Sequence, residues 1–454
     1  MSLPTKARLL SPVRVSVVAF ALFILVGALL LLLPAFTARP SIRFVDALFT
    51  MTSAACVTGL TVLDTGTDLS RAGQILVLLW MQAGGLGIMT MSTVMLLLAG
   101  RRPSLGSKMV VQDSFTHRGD RDLRALVVDV LRLTFTVELL GAGLLFLRFL
   151  QDHPLGEALF ISMFHSVSAF CNAGFSTFSN SLEGFVGDPL VNLTVALLIM
   201  SGGIGFLVLR EMGSLTGNRG KPRRWLSLHS KVVLSTTAAL LGMGTVLILI
   251  MEWRNTMAGL SLPERILAAF FQAVTARTAG FNTLPIGSMA NQTLALIAIL
   301  MFIGASSGST GGGIKTGTFA TLVALGLSRM RGHPEAQLFK RSISQASVAR
   351  AMSVTMVCAL VVIVGTLLLQ VTELGSAASE QARSRFLDLF FEVVSAFGTV
   401  GLSTGVTSSL SDAGKLLITA VMFLGRLGPM LVAVAVARQK VYRFRYAEES
   451  IMIG

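Results

Sequence analysis

SAACVTGLTV at residues 53–62, SAFCNAGFST at 168–177, TARTAGFNT at 275–283 and SAFGTVGLST at 395–404 are the stretches that decide the fold. They align on Gly59, Gly174, Gly280 and Gly401, which are 115, 106 and 121 residues apart. Each follows an amphipathic stretch (FVDALFTMTS, LGEALFISMFHSVS, PERILAAFFQAVT, RFLDLFFEVVS) too short to cross a bilayer core about 30 Å thick. Around these stretches lie eight long apolar runs, at roughly 13–34, 72–99, 125–150, 190–209, 232–253, 291–328, 351–371 and 413–437. The chain therefore reads as span, short helix, loop, span, repeated four times.

The fold class this predicts is all-α integral membrane. Four membrane–pore–membrane repeats would stand in pseudo-fourfold arrangement around one central ion pore. Their expected bounds are 1–110, 111–225, 226–340 with an intramembrane loop at 304–317, and 341–454 with a C-terminal tail. The second spans echo one another through GGLG at 84–87, GGIG at 202–205, GGGIK at 311–315 and GRLG at 425–428.

Composition agrees. Of the 454 residues 53% are apolar and 13% charged, about half the charge of a soluble domain. That excludes a cytosolic enzyme and a disordered chain. Cys56, Cys171 and Cys358 are too few and scattered for a disulfide framework or a thiolate metal site. The apolar run that reaches Leu33 is too long for a removable signal peptide and reads as the first span. The formal charge of +14 is an orientation signal: segments on one side, both termini included, hold 24 Lys and Arg, and those on the other hold nine. By the positive-inside rule both termini are cytoplasmic. No nucleic acid is expected as a partner, whereas the basic patches leave membrane lipid open as one.

Non-helical backbone is tolerated at membrane depth only where protein buries it or it lines a water-filled cavity. Four loops meeting on an axis turn that constraint into a site, because inward-pointing carbonyls replace the hydration shell of a cation. Glycine allows the positive φ and the close approach that such a turn needs. The residues before it, Val57 and Thr58, Asn172 and Ala173, Thr278 and Ala279, Thr399 and Val400, would supply carbonyls while their side chains pack outward. Leu60, Phe175, Phe281 and Leu402 complete the four loops. None of these side chains is ionisable, so the field comes from dipoles and suits a weakly hydrated monovalent cation rather than Ca²⁺, Mg²⁺ or a transition metal.

Taken together, VTGL at 57–60, NAGFST at 172–177, TARTAGFNT at 275–283, TVGLST at 399–404, GSTGGGIKT at 308–316 and GRLGP at 425–429 make the whole chain resemble the KtrB-type membrane subunits of the Trk/Ktr/HKT superfamily of potassium uptake systems. The resemblance implies potassium as the substrate, bound at the filter residues just named. It also implies a homodimer, a cytosolic KtrA-type regulatory ring that binds nucleotide, and sodium as an activator or coupling ion. No cofactor is expected in the chain itself. The location implied is the inner (plasma) membrane, with many passes. A glycine at all four filter positions goes with potassium preference in this superfamily; a serine in the first would have suggested sodium. The short N-terminus is closer to KtrB than to TrkH, which carries extra helices there.

Two features read as a gate. The glycine- and serine-rich GASSGSTGGGIKTG at 304–317 interrupts the sixth span, where each helix-interior glycine costs about 1 kcal/mol relative to Ala. Gly311, Gly312, Gly313 and Lys315 would form a flexible loop across the ion path; a broken helix with Lys315 reaching the headgroups is the plainer alternative. Arg426, deep in the eighth span, would face a polar cavity. There a guanidinium about 6 Å from a monovalent cation repels it by roughly 3 kcal/mol at an effective dielectric of 20. Its plainer alternative is a salt bridge to Glu138. Arg277 is expected behind the filter, held by carbonyls or by Glu392, and His165, Glu157, Glu264 and Asp388 as solvated or capping residues. The chief functional alternative, a cation-coupled secondary transporter, would want intramembrane carboxylates, and only Glu138 offers itself. The five histidines fall singly on different loops, and no catalytic constellation supports an enzyme.

Overall fold

The computed structural model describes residues 12–87, 123–216, 226–375 and 379–437. The first repeat contributes α1 (Pro12–Leu31), α2 (Phe44–Cys56) and α3 (Arg71–Gly85). The second contributes α4 (Leu123–Phe149), α5 (Leu155–Cys171), α6 (Pro189–Ile204) and α7 (Phe206–Thr216). In the third come α8 (Leu228–Glu252), α9 (Leu262–Thr275), α10 (Asn291–Phe302) and α11 (Thr316–Met330). A two-stranded hairpin, Gln337–Leu338 with Arg341–Ser342, leads to the fourth repeat's α12 (Gln345–Leu374), α13 (Ser379–Gly398) and α14 (Asp412–Ala437).

Local chemistry explains where the helices begin. Ser70, Ser227 and Ser344 accept hydrogen bonds from the amides of Gly73, Ser230 and Ser347, and Asp188 accepts from Leu190 and Val191 ahead of Pro189 in the first turn. The short α9 opens with a capping box between Ser261 and Glu264. Each of these side chains satisfies a donor that the helix itself leaves open.

Among the described residues, three helices are long and apolar enough to span by themselves: Val127–Phe149, Leu228–Glu252 and Gln345–Leu374. Two of the eight predicted spans differ from this count for physical reasons. The fourth bends by 105° between Ile204 and Phe206, at Gly205 with φ +98°. The sixth breaks into α10 and α11. Part of the second lies outside the described residues, as do most basic residues of the segments between spans and the C-terminal tail. Exposed Leu139, Leu140, Ile250, Met356 and Val371 give α4, α8 and α12 apolar outer surfaces, as contact with lipid requires, while phenylalanines such as Phe49, Phe170, Phe271 and Phe397 fill the interior.

The helices close into a ring. Within each repeat the short helix packs on its own first span: α2 on α1, α5 on α4, α9 on α8 and α13 on α12. Between repeats, each second span packs on the next short helix: α3 on α5, α6 on α9, α10 on α13 and, completing the circle, α14 on α2. An ionic cluster marks that last seam. Lys415 of α14 holds Asp46 of α2 at 2.7 Å with both side chains largely buried, and Arg43 reaches Asp46 and Asp412, each at 2.9 Å.

Candidate functional site

The four short helices end on the quoted stretches. α2, α5 and α13 stop in the same way: Val57, Asn172 and Thr399 turn left-handed, with φ +57°, +61° and +49°. Their amides and those of the next residues return to carbonyls three and five positions back, a Schellman cap. Valine and threonine rarely adopt positive φ, so these caps are held by their surroundings. The third helix ends differently, with Ala279 bonded to the carbonyl of Thr275 and Thr278 at φ +81°.

One turn further, Gly59, Gly174, Gly280 and Gly401 all have positive φ, between +70° and +94°. A Cβ on Gly59 would strike the carbonyl oxygen of Ala173; one on Gly174, that of Ala279; one on Gly280, that of Val400; one on Gly401, that of Thr58. Each glycine thus lies against the carbonyl just before the next repeat's glycine, and the fourth returns to the first. Eight residues, the four glycines and the one before each, thus meet in one closed succession of backbone contacts. Thr58, Ala173, Ala279 and Val400 are buried, as are Leu60, Phe175, Phe281 and Leu402.

A hydroxyl near the end of each pore helix braces its loop. Ser53 and Ser395 accept from the amides of Gly59 and Gly401 at 3.0 and 3.1 Å. Ser168 and Thr275 donate to the carbonyls of Phe175 and Phe281 at 2.7 and 2.6 Å, so those two carbonyls are turned back onto their own helices. These braces escaped the sequence reading, although a Ser or Thr opens all four quoted stretches. Asn172 braces sideways. With its amide oriented to satisfy both ends, it donates to Ala169 and Ile199 carbonyls at 3.1 Å and accepts from Thr278 Oγ1 at 3.0 Å.

Beneath this ring, Gly84, Gly202 and Gly425 of the second spans lie hard against the carbonyls of Ala55, Phe170 and Phe397, too close for a side chain. At the matching place in the third repeat there is no helix but a loop between Phe302 and Thr316. Gly311 lies against Thr278, and the Gly312 amide donates to Thr399 Oγ1 at 3.0 Å. Ser306 and Thr310 amides reach the carbonyls of Gly203 and Gly202 in the bent fourth span, at 3.0 and 3.2 Å. Gly313 takes φ +66°. Lys315 folds back onto the carbonyls of Gly311 and Gly312 at 2.6 and 3.4 Å instead of reaching toward headgroups. Arg426 bridges the carbonyl of Thr310 in the loop to that of Gly84 in the first repeat.

Three expectations are corrected. Arg426 makes no salt bridge to Glu138, whose carboxylate accepts from Gln82 at 3.1 Å in a cluster with Cys171. Glu392 does not hold Arg277; it accepts from Ser403 at 2.8 Å and from Thr407. His165 is fully buried rather than solvated, its Nδ1 donating to Ile161 at 2.8 Å and its Nε2 facing the Ser176 hydroxyl at 2.9 Å. Glu264 does cap, Glu157 is partly exposed near Arg71, and Asp388 is half-buried. Among the described residues no group of His, Cys, Asp and Glu could hold a metal ion. What the ring offers a cation is carbonyl oxygen.

The family profile described as TrkH, cation transport protein, matches residues 13–442. The chain belongs to this family of cation transport proteins. Within it, the chain is similar to the Ktr system potassium uptake protein B of Bacillus subtilis, 37% identical with 98% of this chain and 97% of the relative covered. Similarity to the protein of the same name from Vibrio alginolyticus is 38%, over 97% and 94% of the two chains. The potassium/sodium uptake protein NtpJ of Enterococcus hirae is 38% identical over 98% of each. Among solved structures, the potassium transporter TrkH from Vibrio parahaemolyticus shares the all-helical membrane fold, with a TM-score of 0.72 at 22% identity over 96% of this chain and 86% of that one. These relatives are named as ion transporters, not as enzymes.

Proposed function

We propose that this TrkH-family chain takes up potassium through the ring at Gly59, Gly174, Gly280 and Gly401. The observation that carries the reading is the closed succession of glycine against neighbouring carbonyl in all four repeats. Such a ring supplies several oxygen dipoles and no carboxylate, which favours an ion that sheds water readily. The flanking residues from Val57 to Leu60, Asn172 to Phe175, Thr278 to Phe281 and Thr399 to Leu402 make up the filter. The four repeats divide at 110, 225 and 340. Flux of K⁺ and Na⁺ into liposomes containing the purified protein tests the reading: K⁺ is expected to pass far faster, and equal fluxes of the two ions overturn it.

The gate in this reading is the loop with Gly311, Gly312 and Gly313, held closed by Lys315 and Arg426. Two cations clasp the loop's carbonyls close to the inner filter residues, without an acidic partner among the described residues. Their uncompensated field opposes an entering cation until the loop moves. A cytosolic nucleotide-binding ring of the KtrA type supplies that movement, acting on a homodimer in the plasma membrane with both termini inside, and sodium serves as activator or coupling ion. The name of the Ktr relatives, a system, supports a further subunit, and that of NtpJ, potassium/sodium uptake, supports both ions. Flux measured with and without such a ring tests the control.

A further inference from the structure

A half-enclosed recess lies behind the third filter loop, where α6 of the second repeat meets α8 and the end of α9. Ile199, Met200, Leu241 and Val274 give it apolar walls, and Thr237 and Arg277 are its polar members. Arg277 is 8% exposed and Thr237 5%. Neither Arg277 Nε nor Thr237 Oγ1 has a hydrogen-bond partner, and among the described residues nothing forms an ion pair with the guanidinium. Two other buried carboxylates are committed elsewhere, Glu392 to Ser403 and Thr407 and Glu138 to Gln82.

An arginine inside a membrane protein, largely buried and without an ion-pair partner among the described residues, requires a counter-charge. The carbonyl end of α9 offsets part of it, since the helix terminus carries about half a negative charge. Water would satisfy the donors but leave the remaining charge. The two orphaned groups converge on one recess, and both can donate, so the missing partner is an acceptor that carries negative charge. A divalent oxyanion would overcompensate one guanidinium and would want more donors than the recess presents. We infer that the recess binds one small monovalent anion of chloride size between Arg277 and Thr237. It stands as the counter-charge to an arginine three residues before Gly280, and thereby sets the field behind that part of the ring. The site does not depend on which cation the pore passes.

The experiment uses the full-length purified protein at constant K⁺ and constant ionic strength. Thermal unfolding is followed as gluconate is replaced by chloride or bromide, and crystals grown in bromide are searched for anomalous scattering. The expected result is a saturable rise in melting temperature with halide and a bromide peak between Arg277 and Thr237. Arg277→Gln is expected to abolish the halide response, and Thr237→Val to raise the half-saturating concentration about tenfold. Where Arg277→Gln fails to fold, Thr237→Val and the bromide peak decide. A missing peak at this position, or a halide response that Thr237→Val leaves unmoved, overturns the inference. Because the readouts are stability and scattering, they are independent of whether the chain passes potassium.

Discussion

Repeats one, two and four differ from repeat three in what lies beneath the filter. In those three the pore helix ends in a Schellman cap, and a second-span glycine lies against the carbonyl four residues before the filter glycine. In the third the cap is replaced by a bond from Ala279 to Thr275, the second span comes apart after Phe302, and loop residues occupy the space. The ring itself does not share this asymmetry, since Gly280 meets Val400 as the other glycines meet their neighbours. The lesson is a division of labour. In the proposed function, coordination of one ion from all sides requires four equivalent loops, whereas a gate requires only one mobile obstacle, so symmetry is kept in one layer and given up in the next.

The largest expected effect tests the symmetric layer. Alanine at Gly59, Gly174, Gly280 or Gly401 places a Cβ on a neighbouring carbonyl at a backbone conformation that itself costs about 1–3 kcal/mol. All four variants should lose K⁺ flux by tenfold or more, and a Gly280→Ala protein that conducts normally would break the equivalence. Next is the seam between repeats four and one. Lys415→Met strands Asp46 with Arg43 alone and should destabilise the fold by about 3 kcal/mol, read by thermal unfolding.

Smaller effects probe the asymmetric layer. Arg426→Ala removes charge-assisted bonds to Thr310 and Gly84, each worth about 1.5–3 kcal/mol, so flux without a cytosolic partner should rise about tenfold or more. Lower flux from a well-folded variant would instead make this arginine structural. Thr399→Val removes the single bond from Gly312, about 1 kcal/mol, and should raise the same basal flux about fivefold, with Thr399→Ser restoring it. An unchanged Thr399→Val would show that the loop is held by its cations alone.

Much of this was legible in the chain. The spacing of the four glycines, the short amphipathic helices before them and the loop at 304–317 are local patterns, and local patterns survive in one dimension. The four glycines that meet in the ring were named from them. The misreadings concern partners. Glu392 was expected near Arg277 and Glu138 near Arg426, because opposite charges at membrane depth are natural pairs. Yet Glu392 found neutral donors just after its own helix and Glu138 found one in Gln82 of the first repeat, and each arginine was left to carbonyls or to a recess. His165 misled for a related reason: Ile161 lies one turn back on α5 itself, but Ser176 becomes a partner only once the loop folds back on that helix.

By itself, then, the sequence determined a membrane chain, its orientation signal, its fourfold repetition and the glycines at which the backbone would turn, because hydropathy, charge count and φ tolerance belong to single residues or short windows. Only the tertiary structure decided which carbonyl each glycine faces, that α14 closes on α2, and that two half-buried cations clasp the loop while a third, Arg277, faces a recess with no ion-pair partner among the described residues. Those facts depend on residues more than a hundred positions apart arriving within hydrogen-bond distance. Their arrival is set by how each second span packs against the next repeat's short helix.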